Sequence, residues 1–221
     1  MKLSTFRFRF TAATAAVLAL SSPASAAGVE LMDDTGRRVV LAAPAKRIVS
    51  LAPHVTEMLF AAGAGERVVG AVDYSDYPEA ARRIERVGGY TRIDLEAVAA
   101  LRPDLVIGWQ SGNRESDLAR LQALGIPVYL SEPRNLEDVA RNLERLGRLA
   151  GSEPTAQTAA GAFRARRDQL AATYSAGEKV RTFYQIWDRP LMTVNDHHLI
   201  ADVIRLCGGA NVFGEVAHLT P

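Results

Sequence analysis

One cysteine, Cys207, is all the thiol chemistry in this 221-residue chain, so no disulfide can close within it. In an oxidising compartment a lone cysteine is either free or separated from its partner. Charge of neither sign is in surplus: 26 Lys and Arg stand against 25 Asp and Glu. That balance excludes the basic face of a dedicated nucleic-acid binder. No internal stretch reaches the roughly 20 apolar residues that span a bilayer. Absent too are a Gly-x-Ser-x-Gly nucleophile elbow, a phosphate loop and a Gly-x-Gly-x-x-Gly fingerprint. Repeats and low-complexity tracts are likewise missing. What is there is ordinary globular composition, 48% hydrophobic, enough for one large or two small domains.

The first residues read as an address. Lys2, Arg7 and Arg9 give a positive start, and Thr11 to Leu20 form an apolar core too short to anchor. Pro23-Ala24-Ser25-Ala26-Ala27 supplies small residues for cleavage after Ala26 or Ala27. This is the pattern of a secretory signal over residues 1–26. With no cysteine at the cleavage point, the expected product is soluble in the periplasm and carries no lipid anchor.

Beyond it, strands alternate with helices. Residues 29–32 and 38–41 read as a hairpin about Asp33-Asp34-Thr35-Gly36. Short apolar runs at 47–52, 68–72, 104–108 and 128–130 read as buried strands. Helices are expected from about Thr56 to Ala62, from Leu95 to Leu101 behind an Asp94 cap, and from Glu115 to Leu124. Such alternation indicates a mainly parallel sheet covered on both faces. A helix follows from Leu136, with Val139, Ala140, Leu143 and Leu146 on one face. Another runs from Pro154 to Tyr174, lined by Ala156, Ala160, Phe163, Leu170 and Tyr174. At roughly 30 Å it is either a rod between two lobes or a surface helix of one domain. A strand at 180–187, another at 191–194 and a helix from His198 to Cys207 open a second α/β unit. The resulting division is 27–150 for a first lobe, 151–177 for the connecting helix and 178–221 for a partial second lobe. About 40 residues rarely fold alone, and two strands with one helix leave open edges. The expectation is a second lobe cut short at Pro221; the alternative is a small complete lobe leaning on the first.

Ligands of open parallel sheets bind beyond the carboxyl ends of the strands. There this sequence places His54, then Tyr74 and Tyr77, then Trp109 with Gly112-Asn113, and Trp187 with Arg189. Tyr90 falls in the loop before the Asp94 helix. Aromatic rings on one rim suit a broad, mostly neutral, partly planar ligand, the alternative being core packing. Adjacent His197 and His198 point to different sides and are poor joint metal ligands. A neutral His54 could ligate cobalt or haem iron, or could simply hydrogen-bond in its loop. Cys207, placed inside a helix against apolar neighbours, is a poor nucleophile.

The run Arg47-Ile48-Val49-Ser50-Leu51-Ala52-Pro53-His54-Val55-Thr56-Glu57 resembles the opening of periplasmic binding proteins for cobalamin, ferric siderophores and haem. Tyr74-Ser75-Asp76-Tyr77-Pro78, Pro103 to Trp109 and Cys207 to Phe213 resemble the cobalamin branch in particular. The resemblance implies two Rossmann-like α/β lobes with mainly parallel sheets, joined by one long helix. It implies capture of cobalamin for an ABC importer, with no catalysis and no resident cofactor. Tyr74 and Trp109 stand where that branch sets rings against the corrin; Tyr90 replaces a tryptophan, His54 a small residue, and Trp187 falls near a second-lobe wall. Glu96 matches a carboxylate that docks on the membrane permease, besides suiting a helix N-terminus. The implied partners are a corrinoid and the permease, through which the chain, a monomer, would touch the inner membrane. The alternatives are a haem or ferric-siderophore binder serving iron uptake, and, in another class, an exported metal-dependent hydrolase.

Overall fold

The computed structural model describes residues 28–218; the signal segment read at 1–26 lies outside them. The hairpin forms where expected, β1 Val29–Met32 against β2 Arg38–Leu41 in antiparallel register. Its turn is more than a reversal. Asp34 accepts from the Glu132 N–H at 2.7 Å, from Asn142 Nδ2 at 2.9 Å and from Arg145 Nη1 at 2.5 Å. The hairpin is thereby fastened to the lobe, and one end of a site loop is held with it.

The first lobe is built on β3 Ile48–Ser50, β4 Val68–Ala71, β7 Leu105–Trp109 and β8 Val128–Ser131. Between them in the chain lie a small antiparallel pair, β5 Gly88–Gly89 and β6 Arg92–Ile93. The four long strands are parallel in the order β4-β3-β7-β8. Their side chains alternate between two cores. Ile48, Leu105, Ile107 and Tyr129 face one side; Val49, Leu51, Val106 and Val128 face the other. On the first side lie α1 Pro53–Ala61, α4 Leu136–Ala150 and part of α5 Glu153–Tyr174. On the second lie α2 Leu95–Ala100 and α3 Glu115–Ala123. The near-continuous apolar runs are those of strands buried on both faces.

Local signals explain most boundaries. Asp94 caps α2 by accepting the N–H groups of Glu96 and Ala97. Gly151, at φ +66°, ends α4 in the left-handed conformation that costs glycine least. Helix α1 starts three residues ahead of the expected Thr56, because Pro53 occupies its first position. There the missing N–H costs nothing and the fixed φ is already helical.

Helix α5 packs on α4 through Ala156 and Ala160, both fully buried, while its last turns are exposed. Arg164 bridges Glu137 and Glu144 of α4, and Arg167 reaches Glu137 at 2.6 Å. Hydrogen bonds from Arg164 and Arg167 pull the Glu137 carboxyl down to about 2.

After α5 the second unit departs from the expected pattern. The strand expected over 180–187 is broken. Only β9 Val180–Thr182 pairs with β12 Gly209–Asn211, in parallel. Residues β10 Trp187–Asp188 turn back at Arg189-Pro190 onto β11 Leu191–Met192. An apolar run does not by itself distinguish a buried strand from a surface one, and Val180, Phe183 and Trp187 are exposed here. Helix α6 Leu199–Leu206 has His198 as its N-cap. Cys207, expected against apolar neighbours, is exposed where α6 ends. Among the described residues a hydrogen bond joins the two units, in addition to the packing of α6 on α4 and α5: Asp202 of α6 accepts the Leu136 N–H at the start of α4, at 2.8 Å.

Candidate functional site

The chain leaves β3 toward β4, then crosses back to β7 on the other side of β3. The sheet therefore reverses order between β3 and β7, the point where open parallel sheets hold ligands. His54 follows β3 in the first turn of α1, and Trp109 is the last residue of β7. Their rings meet edge to face with centroids 5.3 Å apart. Tyr90, from the β5–β6 turn, lies on Trp109 at 5.9 Å, tilted by 44°. Three of the rim residues read from the sequence are thus one aromatic group with the indole at its centre.

Asn113 holds that group. Its Oδ1 accepts the Trp109 N–H at 2.7 Å, while its Nδ2 donates to the carbonyls of Leu51 and Tyr90 at 2.9 and 2.8 Å. One buried amide so joins the loops after β3, after β5 and after β7. The indole lies directly over Gly112, where a Cβ would come within 1.8 Å of the ring. Only glycine permits that approach. A second tie is the hydroxyl cluster of Ser50, Thr56 and Ser75, with Thr56 Oγ1 2.8 Å from Ser50 Oγ and 3.1 Å from Ser75 Oγ. It pins the tyrosine-bearing loop after β4 to the start of α1.

Beside Trp109 opens a cavity of about 650 Å³. The first lobe lines it with His54, Met58, Trp109 and the loop Glu132-Pro133-Arg134; the second brings Ile186, His197, His198, Leu199 and Ile200. The exposed surface of its walls is mostly apolar, as small-molecule sites usually are, and Glu57, Ser111, Glu132, Arg134 and the three histidines set polar groups into it. Glu132 is drawn into place by Ser111, whose N–H and hydroxyl both donate to its carboxylate at 3.0 Å.

The polar groups are distinguished by their partners. His198 Nδ1 accepts the Ile200 N–H at 3.1 Å, so this imidazole is spent on capping α6. Burial lowers its pKa, and the carboxylate of Glu132 opposes that. His54 is held otherwise. The residue as a whole is half-buried, but its Nε2 is enclosed and has no hydrogen-bond partner. Burial pushes this imidazole down to about 4, so it is neutral at neutral pH.

The remaining sequence candidates lie apart from the cavity. Tyr74 is 76% exposed, its backbone at φ +64°. A tyrosine in the left-handed region is strained, and that conformation belongs to the loop pinned by Ser75. Trp187 is 60% exposed in the β10–β11 hairpin, its indole N–H donating to the Arg189 carbonyl at 3.2 Å; the preceding Ile186 is the residue that reaches the cavity. Glu96 is exposed in the first turn of α2. Sequence reasoning missed the loop after β8 and the start of α6. The strand-end rule, applied once more, would have found Glu132-Pro133-Arg134. Nothing in the local pattern would have found Leu199 and Ile200.

A parallel lobe with an aromatic site at its switch point, facing a second unit across a long helix, is the architecture of a ligand-capturing protein. The chain belongs to the periplasmic binding protein family, whose model matches residues 48–218. It is 42% identical over 174 residues to the vitamin B12-binding protein of Vibrio parahaemolyticus, covering 79% of this chain and 63% of that one. The crystal structure of the periplasmic vitamin B12-binding protein BtuF of Vibrio cholerae superposes with a TM-score of 0.75 at 39% identity, over 80% of this chain and 70% of that one. A periplasmic heme-binding protein from Pseudomonas aeruginosa superposes at 0.64 with 26% identity, over 76% and 62%. The chain thus spans a little over three fifths of the length of the curated relatives it matches.

Proposed function

We propose that this chain is the substrate-binding component of an ABC importer, and that it captures cobalamin in the periplasm and passes it to a membrane permease without catalysing a reaction. The observation that carries the reading is the Trp109 indole, flanked by His54 and Tyr90 at the switch point and opening on an inter-lobe cavity of about 650 Å³. A rigid aromatic face and mostly apolar walls suit a large planar ligand held by burial. The relatives named for vitamin B12 binding support the same ligand. Tyr74, exposed on the loop after β4, and Trp187, exposed on the second unit, are proposed as further contacts for a ligand wider than the cavity. Exposed Glu96 is proposed as a docking carboxylate for the permease. The secretory-signal pattern read in the sequence at residues 1–26 supports export.

Isothermal titration with cyanocobalamin, with haemin in parallel, tests the ligand. Saturable one-to-one binding of cyanocobalamin is expected, and Trp109→Ala should weaken it at least tenfold while far-UV circular dichroism stays unchanged. Undiminished affinity in the folded variant would remove the proposed pocket. A haem reading is the second choice. It is favoured by the unpartnered imidazole of His54 on the cavity wall, and haemin binding without cyanocobalamin binding would establish it.

A further inference from the structure

Among the described residues that line the cavity, only His54 has an enclosed side-chain polar atom with no hydrogen-bond partner; Glu57 and Arg134 are exposed. His198 caps α6, and Glu132 is engaged by Ser111. His197 is exposed in the loop before α6. The His54 backbone, by contrast, is fixed in the first turn of α1, beside strands buried on both faces. Its Nε2 is enclosed with nothing to bond, an arrangement that costs free energy and calls for an explanation. No hydrogen bond from Nε2 holds the ring in one orientation, and the terminal torsion of histidine is broad and nearly two-fold. A turn about that bond exchanges the positions of the ring's nitrogens and carbons at little cost. Burial keeps the imidazole unprotonated, so a lone pair is available.

We infer that His54 is a metal-directed specificity residue, which coordinates the cobalt of a bound corrinoid through an exchangeable axial position. The inference rests on the cobalamin reading above. Imidazole is a suitable donor for first-row metals of this kind. The exchange is simple: the cobalt–oxygen bond to an axial water breaks, water leaves with its electron pair, and the imidazole lone pair forms the cobalt–nitrogen bond. The oxidation state is unchanged and no proton moves. Metal-ligating histidines are usually strengthened by a carboxylate or carbonyl on the other ring nitrogen, and no such hydrogen bond to His54 is present among the described residues. His54 is therefore a weak donor. It replaces water and leaves a tightly held cyanide in place. The site thus accepts both forms of the ligand but adds a bond to only one.

The test is absorption spectroscopy of the purified chain titrated with aquocobalamin and with cyanocobalamin. The expected result is a shift of the near-ultraviolet corrin band to longer wavelength when aquocobalamin saturates the protein, and no shift with cyanocobalamin. His54→Gln should abolish the shift and weaken aquocobalamin binding about tenfold more than it weakens cyanocobalamin binding. Adding cyanide to the wild-type complex should replace the shifted spectrum with that of protein-bound cyanocobalamin while the corrinoid stays bound, a check that needs no variant. Saturation by aquocobalamin with an unchanged spectrum, or a shift that survives in His54→Gln, overturns the inference and leaves the cobalamin reading standing. If neither corrinoid binds, both fall.

Discussion

At the scale of residues, the site is organised by two side chains with opposite bonding states. Asn113 uses three of its hydrogen-bonding positions to join three loops. Asn113→Ala leaves the Trp109 N–H and two carbonyls without their partner, and should cost about 2–3 kcal/mol in urea denaturation. It should also weaken ligand binding by loosening Trp109 and Tyr90. His54 has an enclosed nitrogen and no partner, and its proton affinity carries a pH signature. Its folded pKa of about 4 lies below the ordinary 6.5. As pH falls from 6.5, the unfolded chain takes up a proton that the folded chain refuses. Stability is therefore lost between about pH 6.5 and 4, by about 3 kcal/mol, and levels off below that range. Thermal melts of wild type against His54→Gln measure this; the variant's pH dependence should be flatter by that amount. Both residues stood at strand ends in the sequence, so their place was legible. Asn113's bonds were not, because they join segments 23 and 62 residues away.

At the scale of elements, boundaries were readable wherever a cap or a stop is written locally. Asp94 before α2, Gly125 after α3 and Gly151 after α4 act within a few residues of their own position. The second unit was less legible. The 180–187 run reads as one strand, yet pairing over that stretch is limited to 180–182 and 187–188, with a hairpin turn at Arg189-Pro190. A partner strand is a tertiary fact that an apolar run does not specify. The contact between α6 and α4 is another. Asp202 caps the Leu136 N–H from across the lobes. Asp202→Ala should lower stability by about 1 kcal/mol in chemical denaturation and speed ligand release in stopped-flow. Asp202→Asn keeps an acceptor there and should restore most of both. Equal behaviour of the two variants would assign the effect to the Asp202–Arg205 pair and remove it from the cap.

At the scale of the whole molecule, the connecting helix decides how the lobes can move. Helix α5 is bound to α4 by two fully buried alanines and by the Arg164 and Arg167 pairs to Glu137 and Glu144. A single packed helix bends less readily than paired hinge strands, and the Asp202 bond restrains the second unit further. Ligand binding should therefore produce little closure. Small-angle scattering with and without cyanocobalamin should give radii of gyration equal within error. Contraction of several per cent would point to a hinge at the 175–179 turn that follows α5.

The sequence by itself determined the alternation of strands and helices, the parallel sheet and the set of strand ends where a ligand could meet the first lobe. Those properties follow from hydrophobic period, caps and stops, which act over a few residues. It also carried the aromatic character of the rim, since ring chemistry is written in the residue itself. Only the tertiary structure decided which rings meet. Trp109, His54 and Tyr90 converge because β3 and β7 are neighbours and Asn113 ties their loops, whereas Tyr74 and Trp187 stand apart from the cavity. It alone brought Ile186, Leu199 and Ile200 across to complete the wall, because packing between lobes depends on surfaces that are distant in the chain and share no local pattern.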